Sequence, residues 1–315
     1  MQAVAELATH LKQELGKAVV GQDEVIEQIL IALLCEGHVL LEGVPGIAKT
    51  LLVKALARTL QLQFQRVQGT PDLMPADILG GNIFHLPTST FVLHRGPVFT
   101  DLLLMDEINR MPPRTQAALL EAMEERQVTI EGNQLTLSGW FTVFATQNPV
   151  EFEGTYPLPE AQLDRFLMKI QVEYPEMDEE VEILRRAHAG FDAHHLEQVE
   201  WSLLAPEALA AARTAARQVR VENELLRYVA ELTRSSRSWP ALLLGASPRA
   251  GQCLLQAGKA WAALQGRDYL IPDDIKQVAR PVLQHRLQLR SEAELEGMTT
   301  ARAVEDLCAS VEVPR

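Results

Sequence analysis

A glycine-containing loop lies between a predicted apolar strand and a predicted helix, and it limits the possible folds more than any other part of the sequence. Residues 38–41 form a short apolar run, which predicts a buried strand, and residues 49 to about 60 have the pattern of a helix. A strand, a glycine loop and a helix in this order are typical of the start of a parallel α/β domain. The loop and the first helical residues are Gly43, Val44, Pro45, Gly46, Ile47, Ala48, Lys49 and Thr50.

This loop matches the phosphate-binding pattern G-x-x-x-x-G-K-[ST], except that Ala48 replaces the second glycine. In that pattern backbone N–H groups curl around nucleotide phosphates, the lysine reaches the β and γ phosphates, and the hydroxyl residue holds Mg²⁺. Lys49 and Thr50 are therefore the predicted phosphate and metal ligands, and Leu51 completes the predicted nucleotide-binding segment. The alternative is an ordinary Gly-Pro turn between the strand and the helix.

A second apolar run, residues 102–105, ends in two carboxylates, Asp106 and Glu107. Acids at the end of a buried strand are costly unless they serve a cation or a water molecule. The first acid suits Mg²⁺ ligation, and the second suits activation of an attacking water. We predict Asp106 as a metal ligand and Glu107 as a catalytic residue. Taken alone, the same pattern would also describe a strand exit followed by a helix cap.

The other patterns predict an α/β region followed by helices. Apolar runs at residues 141–146 and 166–170 predict two more buried strands, and residues 62–67 alternate as an edge strand does. Two helices are predicted within residues 1–36 and another at residues 113–125. From Trp201 onward no run is typical of a strand, and four helices are predicted at residues 207–217, 223–234, 248–264 and 273–286.

The predicted fold is thus an α/β P-loop core with a parallel sheet, followed by a smaller all-helical lid domain. The core would cover roughly residues 1–190 and the lid roughly residues 200–315, with a polar linker between them. The nucleotide and Mg²⁺ would bind between the two domains.

Two segments interrupt the alternation of strands and helices. Residues 77–97 hold two short β-prone runs around a turn cluster, and residues 128–137 hold two more around Glu131-Gly132-Asn133. Neither hairpin is needed to complete the sheet. Both are predicted to be functional projections, with plain surface hairpins as the alternative.

Composition narrows the class of function. Acidic residues outnumber basic ones by 13, which argues against a general nucleic-acid binder, because such proteins contact phosphates through Lys and Arg. The three cysteines form no C-x-x-C pair, so neither a zinc site nor a disulfide framework is expected. His188, His194 and His195 lack a matching thiol or carboxylate pattern and are interpreted as part of a solvated linker.

The N-terminal segment lacks the unbroken apolar run of a signal peptide. The most apolar stretch, residues 29–41, is short and interrupted by Glu36 and His38, so we do not expect it to span a bilayer. A cytoplasmic protein without membrane insertion is expected.

Six segments together resemble the MoxR family of AAA+ ATPases, which belongs to the helix-2-insert clade. The most specific are residues 106–110 and 160–166, and MoxR-like proteins also carry alanine at the position of Ala48. The resemblance spans nearly the whole chain in the right order, through residues 42–50, 104–114, 116–125, 145–149, 156–166 and 245–250.

The resemblance implies further site residues. Asn148 matches the sensor-1 residue that orients water, although it also fits a turn before Pro149. Arg165 matches the arginine finger that reaches a neighbouring subunit's nucleotide, and a surface pair with Asp164 is the alternative. Arg249 matches sensor 2 on the lid, with an ordinary helix start as the alternative. Val20 and Gly21 match a segment that packs on adenine and would otherwise be a plain helix-joining loop.

The resemblance also implies a function. MoxR-like proteins are ATP-hydrolysing chaperones that use ATP and Mg²⁺, form rings that are expected to be hexamers, and remodel or activate client proteins. A frequent client is a von Willebrand factor A-domain protein, and both hairpins would project toward the pore. Two alternatives stay open: a nucleic-acid motor, which would need basic hairpin tips, and a scaffold that binds nucleotide without turnover.

Overall fold

The computed structural model describes residues 1–44, 46–87, 89–148, 155–193 and 195–314. Its strands are β1 (His38–Glu42), β2 (Phe64–Gln68), β3 (Gly80–His85), β4 (Thr90–Arg95), β5 (Leu102–Asp106), β6 (Gln127–Ile130), β7 (Asn133–Thr136), β8 (Thr142–Gln147), β9 (Phe166–Gln171), β10 (Leu242–Leu244) and β11 (Gln288–Leu289).

The helices of the α/β region are α1 (Gln2–Leu15), α2 (Asp23–Leu34), α3 (Lys49–Thr59), α4 (Pro75–Leu79), α5 (Pro113–Glu125), α6 (Glu160–Leu163) and α7 (Met177–His188). The helices that follow are α8 (Pro206–Arg217), α9 (Asn223–Ser236), α10 (Pro248–Leu264), α11 (Pro272–Leu283), α12 (Ser291–Leu295) and α13 (Thr300–Ser310). Among the residues that the structure describes, no helix is long and apolar enough to cross a membrane.

Five strands form a parallel sheet in the order β2-β5-β8-β1-β9, which confirms the predicted α/β core. The strands β1, β5 and β8 are apolar through most of their length because both faces of the sheet are covered. Leu102 and Leu104 join one buried cluster, whereas Leu103 and Met105 join the cluster on the other face. The predicted edge strand is β2, whose residues are exposed or partly buried.

Because the five strands are parallel, their carboxyl ends meet at one edge of the sheet, which we call the carboxyl edge. It is formed by the last residues of the strands: Glu42, Gln68, Asp106, Gln147 and Gln171. The glycine loop follows β1 at this edge and leads into α3. The amino ends, including His38 and Phe166, form the opposite edge.

Both predicted hairpins are present. Strands β3 and β4 pair antiparallel, as do β6 and β7, and neither pair joins the main sheet. The two hairpins touch, because the Asn82 side chain donates a hydrogen bond to Glu131 at 2.5 Å. Several apolar side chains of the first hairpin are exposed, namely Ile83, Phe84, Phe91 and Val92.

The C-terminal region is the predicted lid, with three departures from the sequence pattern. Two helices that were not predicted, α12 and α13, follow the predicted four, although α13 buries Ala303, Val304, Leu307 and Cys308 at helical spacing. The helix predicted to end at Arg286 ends at Leu283. The prediction of no strand was wrong at β10 and β11, because a ladder of two or three residues is too short to show alternation.

The lid packs closely against the α/β region. Helices α8 and α10 pack against α1 and α2, and α11 packs against β9. One buried cluster contains Leu11 and Leu52 from the α/β region together with Leu254, Ile275 and Leu307 from the lid. The domain boundaries near residues 190 and 200 stay a prediction.

Candidate active site

The glycine loop has the backbone shape that a phosphate-binding loop requires. Gly46 and Ala48 both have positive φ angles, 87° and 60°. A left-handed conformation is uncommon for a residue with a side chain, and alanine accepts it at a modest cost because its side chain is small. Lys49 and Thr50 then begin α3, whose first N–H groups have no partner within the helix. Pro45 lies outside the described residues.

The Lys49 ammonium lies beside the predicted acids. Its Nζ donates a hydrogen bond to the Gly43 carbonyl oxygen at 2.5 Å. Burial lowers the pKa of Lys49, and the negative charges of Asp106, Glu107 and Glu42 oppose that effect. A partly desolvated cation near a helix N-terminus is suited to bind phosphate.

Thr146, near the end of β8, holds the two predicted acids together. Its Oγ1 donates a hydrogen bond to Asp106 Oδ1 at 3.2 Å and accepts one from the Glu107 N–H at 2.9 Å. Glu107 has a positive φ of 56°, which is strained for a glutamate and turns the chain sharply after β5. The hydroxyl therefore holds in place the end of β5, where both carboxylates lie.

The acids also contact polar residues that the sequence pattern did not identify. Arg66 Nε pairs with Asp106 Oδ2 at 2.6 Å, and Gln68 Nε2 donates to Glu107 Oε2 at 2.8 Å. Arg110 Nε lies 3.2 Å from the same Glu107 oxygen. The alternation of residues 64, 66 and 68 on an edge strand could have indicated that Arg66 and Gln68 share a face at the carboxyl edge.

These residues surround a cavity of about 740 Å³, which we call the phosphate cavity. Thr50 and Asp106 offer it a hydroxyl and a carboxylate, oxygen donors of the type that Mg²⁺ prefers, so the predicted metal ligands fit that ion. Asn148 also lines the phosphate cavity and is buried. The phosphate cavity is lined by residues of the α/β region together with Ala193 of the linker. The lining residues include Gly46, Ala48, Lys49, Thr50, Leu51, Lys54, Arg66, Asp106, Glu107 and Asn148.

A second cavity of about 550 Å³ lies at the carboxyl edge beside β9. It is lined by Gly21 of the predicted adenine segment and by Lys169, Gln171 and the lid residue Arg280. Since β1 lies between β8 and β9, the glycine loop separates this cavity from the phosphate cavity. Gly21 has a φ of 71°, and a side chain there would collide with the Glu179 carboxylate.

Arg165 and Arg249 lie away from the phosphate cavity, at the opposite edge of the sheet. Arg165 immediately precedes β9, and both arginines line a cavity of about 430 Å³ that also contains His38. Glu124 pairs with both: Arg249 Nη2 lies 2.9 Å and Arg165 Nε 3.6 Å from its Oε2. Asp164, the alternative partner considered for Arg165, pairs with the buried Arg286 at 2.7 Å.

Comparison with known proteins supports the arrangement. Residues 38–168 match the description "ATPase family associated with various cellular activities (AAA)", and residues 234–307 match "AAA lid domain". The chain is 42% identical to "Chaperone MoxR1" of Mycobacterium tuberculosis, over 96% of this chain and 81% of that protein.

This chain belongs to the MoxR family of AAA+ ATPases. It is also 43% identical to "Uncharacterized protein YeaC" of Bacillus subtilis, over 96% of this chain and 93% of that one. A crystal structure of an ATPase candidate from Cytophaga hutchinsonii superposes with a TM-score of 0.90 at 41% identity, covering 99% of this chain and 96% of that one.

Membership of the MoxR family confirms the predicted fold of a P-loop core and a lid, and it makes this chain a nucleotide-binding ATPase. The helix-2-insert clade and the roles of single residues remain predictions. Pro149, at the end of a segment that carried the resemblance, and His194 lie outside the described residues.

Proposed function

We propose that this MoxR-family chain hydrolyses ATP to ADP and phosphate and uses that reaction, as part of a ring, to remodel client proteins. The observation that carries the proposal is the meeting of Lys49, Thr50, Asp106 and Glu107 around one cavity at the carboxyl edge. These residues come from separate segments of the sequence, and only the parallel sheet brings them together.

Five residues of the phosphate cavity have proposed roles. Lys49 and the N–H groups at the start of α3 bind the phosphates. Thr50 and Asp106 hold Mg²⁺, which neutralises charge on the phosphate oxygens when it is bound. Glu107 accepts a proton from the attacking water, and Asn148 orients that water. Gly21, which lines the second cavity, and its neighbour Val20 would contact the base on the other side of the glycine loop.

We propose that Arg165 and Arg249 both serve the nucleotide of a neighbouring subunit. The six residues of β9 rise about 3.3 Å each, so roughly 20 Å separates Arg165 from the carboxyl edge of its own sheet. An arginine side chain cannot bridge that distance. A closed head-to-tail ring, which we propose to be a hexamer, would set the opposite edge of one subunit against the phosphate cavity of the next.

The client role is proposed from the family and from one surface. The similar mycobacterial protein is named a chaperone, and the hairpin formed by β3 and β4 exposes Ile83, Phe84 and Phe91. Exposed apolar clusters of this kind are typical of protein interaction sites. A von Willebrand factor A-domain protein remains the proposed client class.

Glu107→Gln tests the proposed reaction. The amide has nearly the same shape but cannot accept the proton of water, so ATP affinity should stay within about twofold while phosphate release falls at least about 100-fold. Nucleotide affinity and phosphate release would be measured on the same preparation. Glu125→Gln, on the exposed end of α5, is the matched control and should keep full turnover. Normal turnover by Glu107→Gln would mean that another group activates the water.

A further inference from the structure

The guanidinium of Arg66 pairs with the carboxylate of Asp106, the residue that is proposed to hold the metal. Arg66 Nε lies 2.6 Å from Asp106 Oδ2, and its Nη2 donates to Gln68 Oε1 at 3.4 Å. Phe64, Arg66 and Gln68 all line the phosphate cavity, because alternate residues of β2 share one face. The arginine is therefore held by the edge strand and directed at the metal ligand.

The charges around the phosphate cavity determine how the pair of Arg66 and Asp106 affects metal binding. Its lining carries three cationic side chains, Lys49, Lys54 and Arg66, and two acids, Asp106 and Glu107. A free divalent cation would enter a site of net positive charge. The carboxylate that would bind it, Asp106, is already paired with Arg66. Like charges a few ångströms apart oppose binding strongly in a partly buried site.

We propose that Arg66 acts as the counter-cation of Asp106 and keeps free divalent metal out of the site until a nucleotide arrives. The proposal rests on the proposed nucleotide site. A nucleoside triphosphate brings about four negative charges, which reverse the sign of the site. They also offer Arg66 a phosphate partner, and a guanidinium pairs with phosphate in a fork geometry as it does with a carboxylate. Metal would then bind together with nucleotide rather than before it.

The position of Arg66 allows such an exchange of partners. Its side chain is about half exposed, at 52%, whereas that of Asp106 is 10% exposed. The guanidinium can therefore turn within the phosphate cavity without opening the core, while Asp106 stays fixed by Thr146. The loss of the long hydrogen bond to Gln68 costs little, because bonds near 3.4 Å are weak.

The test uses Mn²⁺ as the metal probe, followed by electron paramagnetic resonance on the nucleotide-free full-length protein. Arg66→Met removes the cation but keeps an unbranched side chain of similar reach. Arg66→Lys restores the charge, and Arg58→Met removes an exposed arginine of α3 that does not line the phosphate cavity. Arg66→Met combined with Asp106→Asn measures the Mn²⁺ that binds elsewhere on this acidic chain.

Arg66→Met should bind Mn²⁺ roughly tenfold to 100-fold more tightly than the unsubstituted protein, since one charge a few ångströms away is removed. Arg66→Lys and Arg58→Met should remain near the unsubstituted value, and Asp106→Asn should abolish the gain. Equal Mn²⁺ affinity in Arg66→Met and the unsubstituted protein would overturn the inference. The proposed function fails separately: it is lost if the unsubstituted protein does not bind ATP in the presence of Mg²⁺.

Discussion

At the scale of single residues, Thr146 links the two acids through one hydroxyl. It is almost fully buried and contacts both Asp106 and the backbone of Glu107. If a buried hydrogen-bonding partner is removed, no water can take its place. The groups left unpaired then lower the free energy of unfolding by about 1 to 3 kcal/mol. The hydroxyl should therefore affect both the stability of the strand exit and the rate of hydrolysis.

Thr146→Val should lower the turnover number for ATP by about tenfold, because the nearly isosteric side chain removes the hydroxyl without leaving a cavity. The unfolding free energy should fall by about 1 to 2 kcal/mol. Thr146→Ser keeps the hydroxyl and should retain most of the activity. ATPase assays and urea unfolding would compare the three proteins, and full activity in Thr146→Val would show that backbone geometry alone positions the acids.

At the scale of elements, His38 connects β1 with α5 and β8. The Val143 N–H donates a hydrogen bond to His38 Nδ1 at 2.9 Å, so Nδ1 carries a lone pair. The proton must then be on Nε2, which donates to the Met123 carbonyl oxygen at 3.2 Å. Burial, and after it the positive charge of Arg126, lowers the pKa of His38 to about 4.

Because His38 is neutral in the folded state, we expect the free energy of unfolding to fall in acid. The unfolded state takes up a proton near pH 6.5 and the folded state only near pH 4, so stability is complete above pH 6.5 and falls as the pH drops toward 4. Between pH 6.5 and 5 the loss should be about 2 kcal/mol for this group. His285, whose pKa burial also lowers, acts in the same direction.

His38→Gln should make the unfolding free energy less dependent on pH. A glutamine can accept from Val143 and donate to Met123 but does not titrate, so the loss between pH 6.5 and 5 should shrink by about 2 kcal/mol. Urea unfolding at the two pH values measures this difference. His188→Gln, on the exposed end of α7, controls for the removal of an imidazole. An unchanged pH dependence in His38→Gln would mean that the imidazole is not held neutral.

At the scale of the whole molecule, the parts of the proposed reaction lie on opposite edges of the sheet. Lys49, Asp106 and Glu107 are at the carboxyl edge, whereas Arg165 and Arg249 share Glu124 at the other edge. The lid that carries Arg249 shares a continuous buried cluster with the α/β region. A rearrangement that moved both arginines to the chain's own phosphate cavity would disrupt that core, so a second subunit is the simpler way to complete the site.

Mixing two variants tests this arrangement. Arg165→Ala should bind ATP with near-normal affinity but lose turnover strongly, since arginine fingers contribute roughly 10³- to 10⁵-fold. Lys49→Ala should not bind ATP tightly but still offers Arg165 to a neighbour. Each protein alone should be inactive, and mixtures should recover part of the ATPase activity. Arg249→Ala mixed with Lys49→Ala should behave in the same way.

Subunit exchange is the necessary control for the mixtures, and it can be followed by energy transfer between labelled subunits. If subunits exchange but activity does not return, Arg165 acts within its own subunit or has a structural role. Full activity of Arg165→Ala alone would remove this residue from the reaction.

Most of the fold could be predicted from the sequence, because the signals that specify it are local. Residues 38–60 place a strand, a loop and a helix in a fixed order, and buried parallel strands are apolar through most of their length. The same locality explains why Lys49, Thr50, Asp106 and Glu107 could be singled out from the sequence, because each stands at the end of a strand or the start of a helix.

The contacts between side chains that are distant in sequence could not be predicted in this way, because they depend on tertiary packing. Arg66 and Thr146 each lie 40 positions from Asp106 in the sequence, and they reach it because β2 and β8 flank β5 in the sheet. Likewise, nothing local to Arg165 or Arg249 shows that both contact Glu124 on α5, at the edge remote from the phosphate cavity. Strand order and lid docking set these contacts, and both depend on the packing of the whole chain rather than on any one segment.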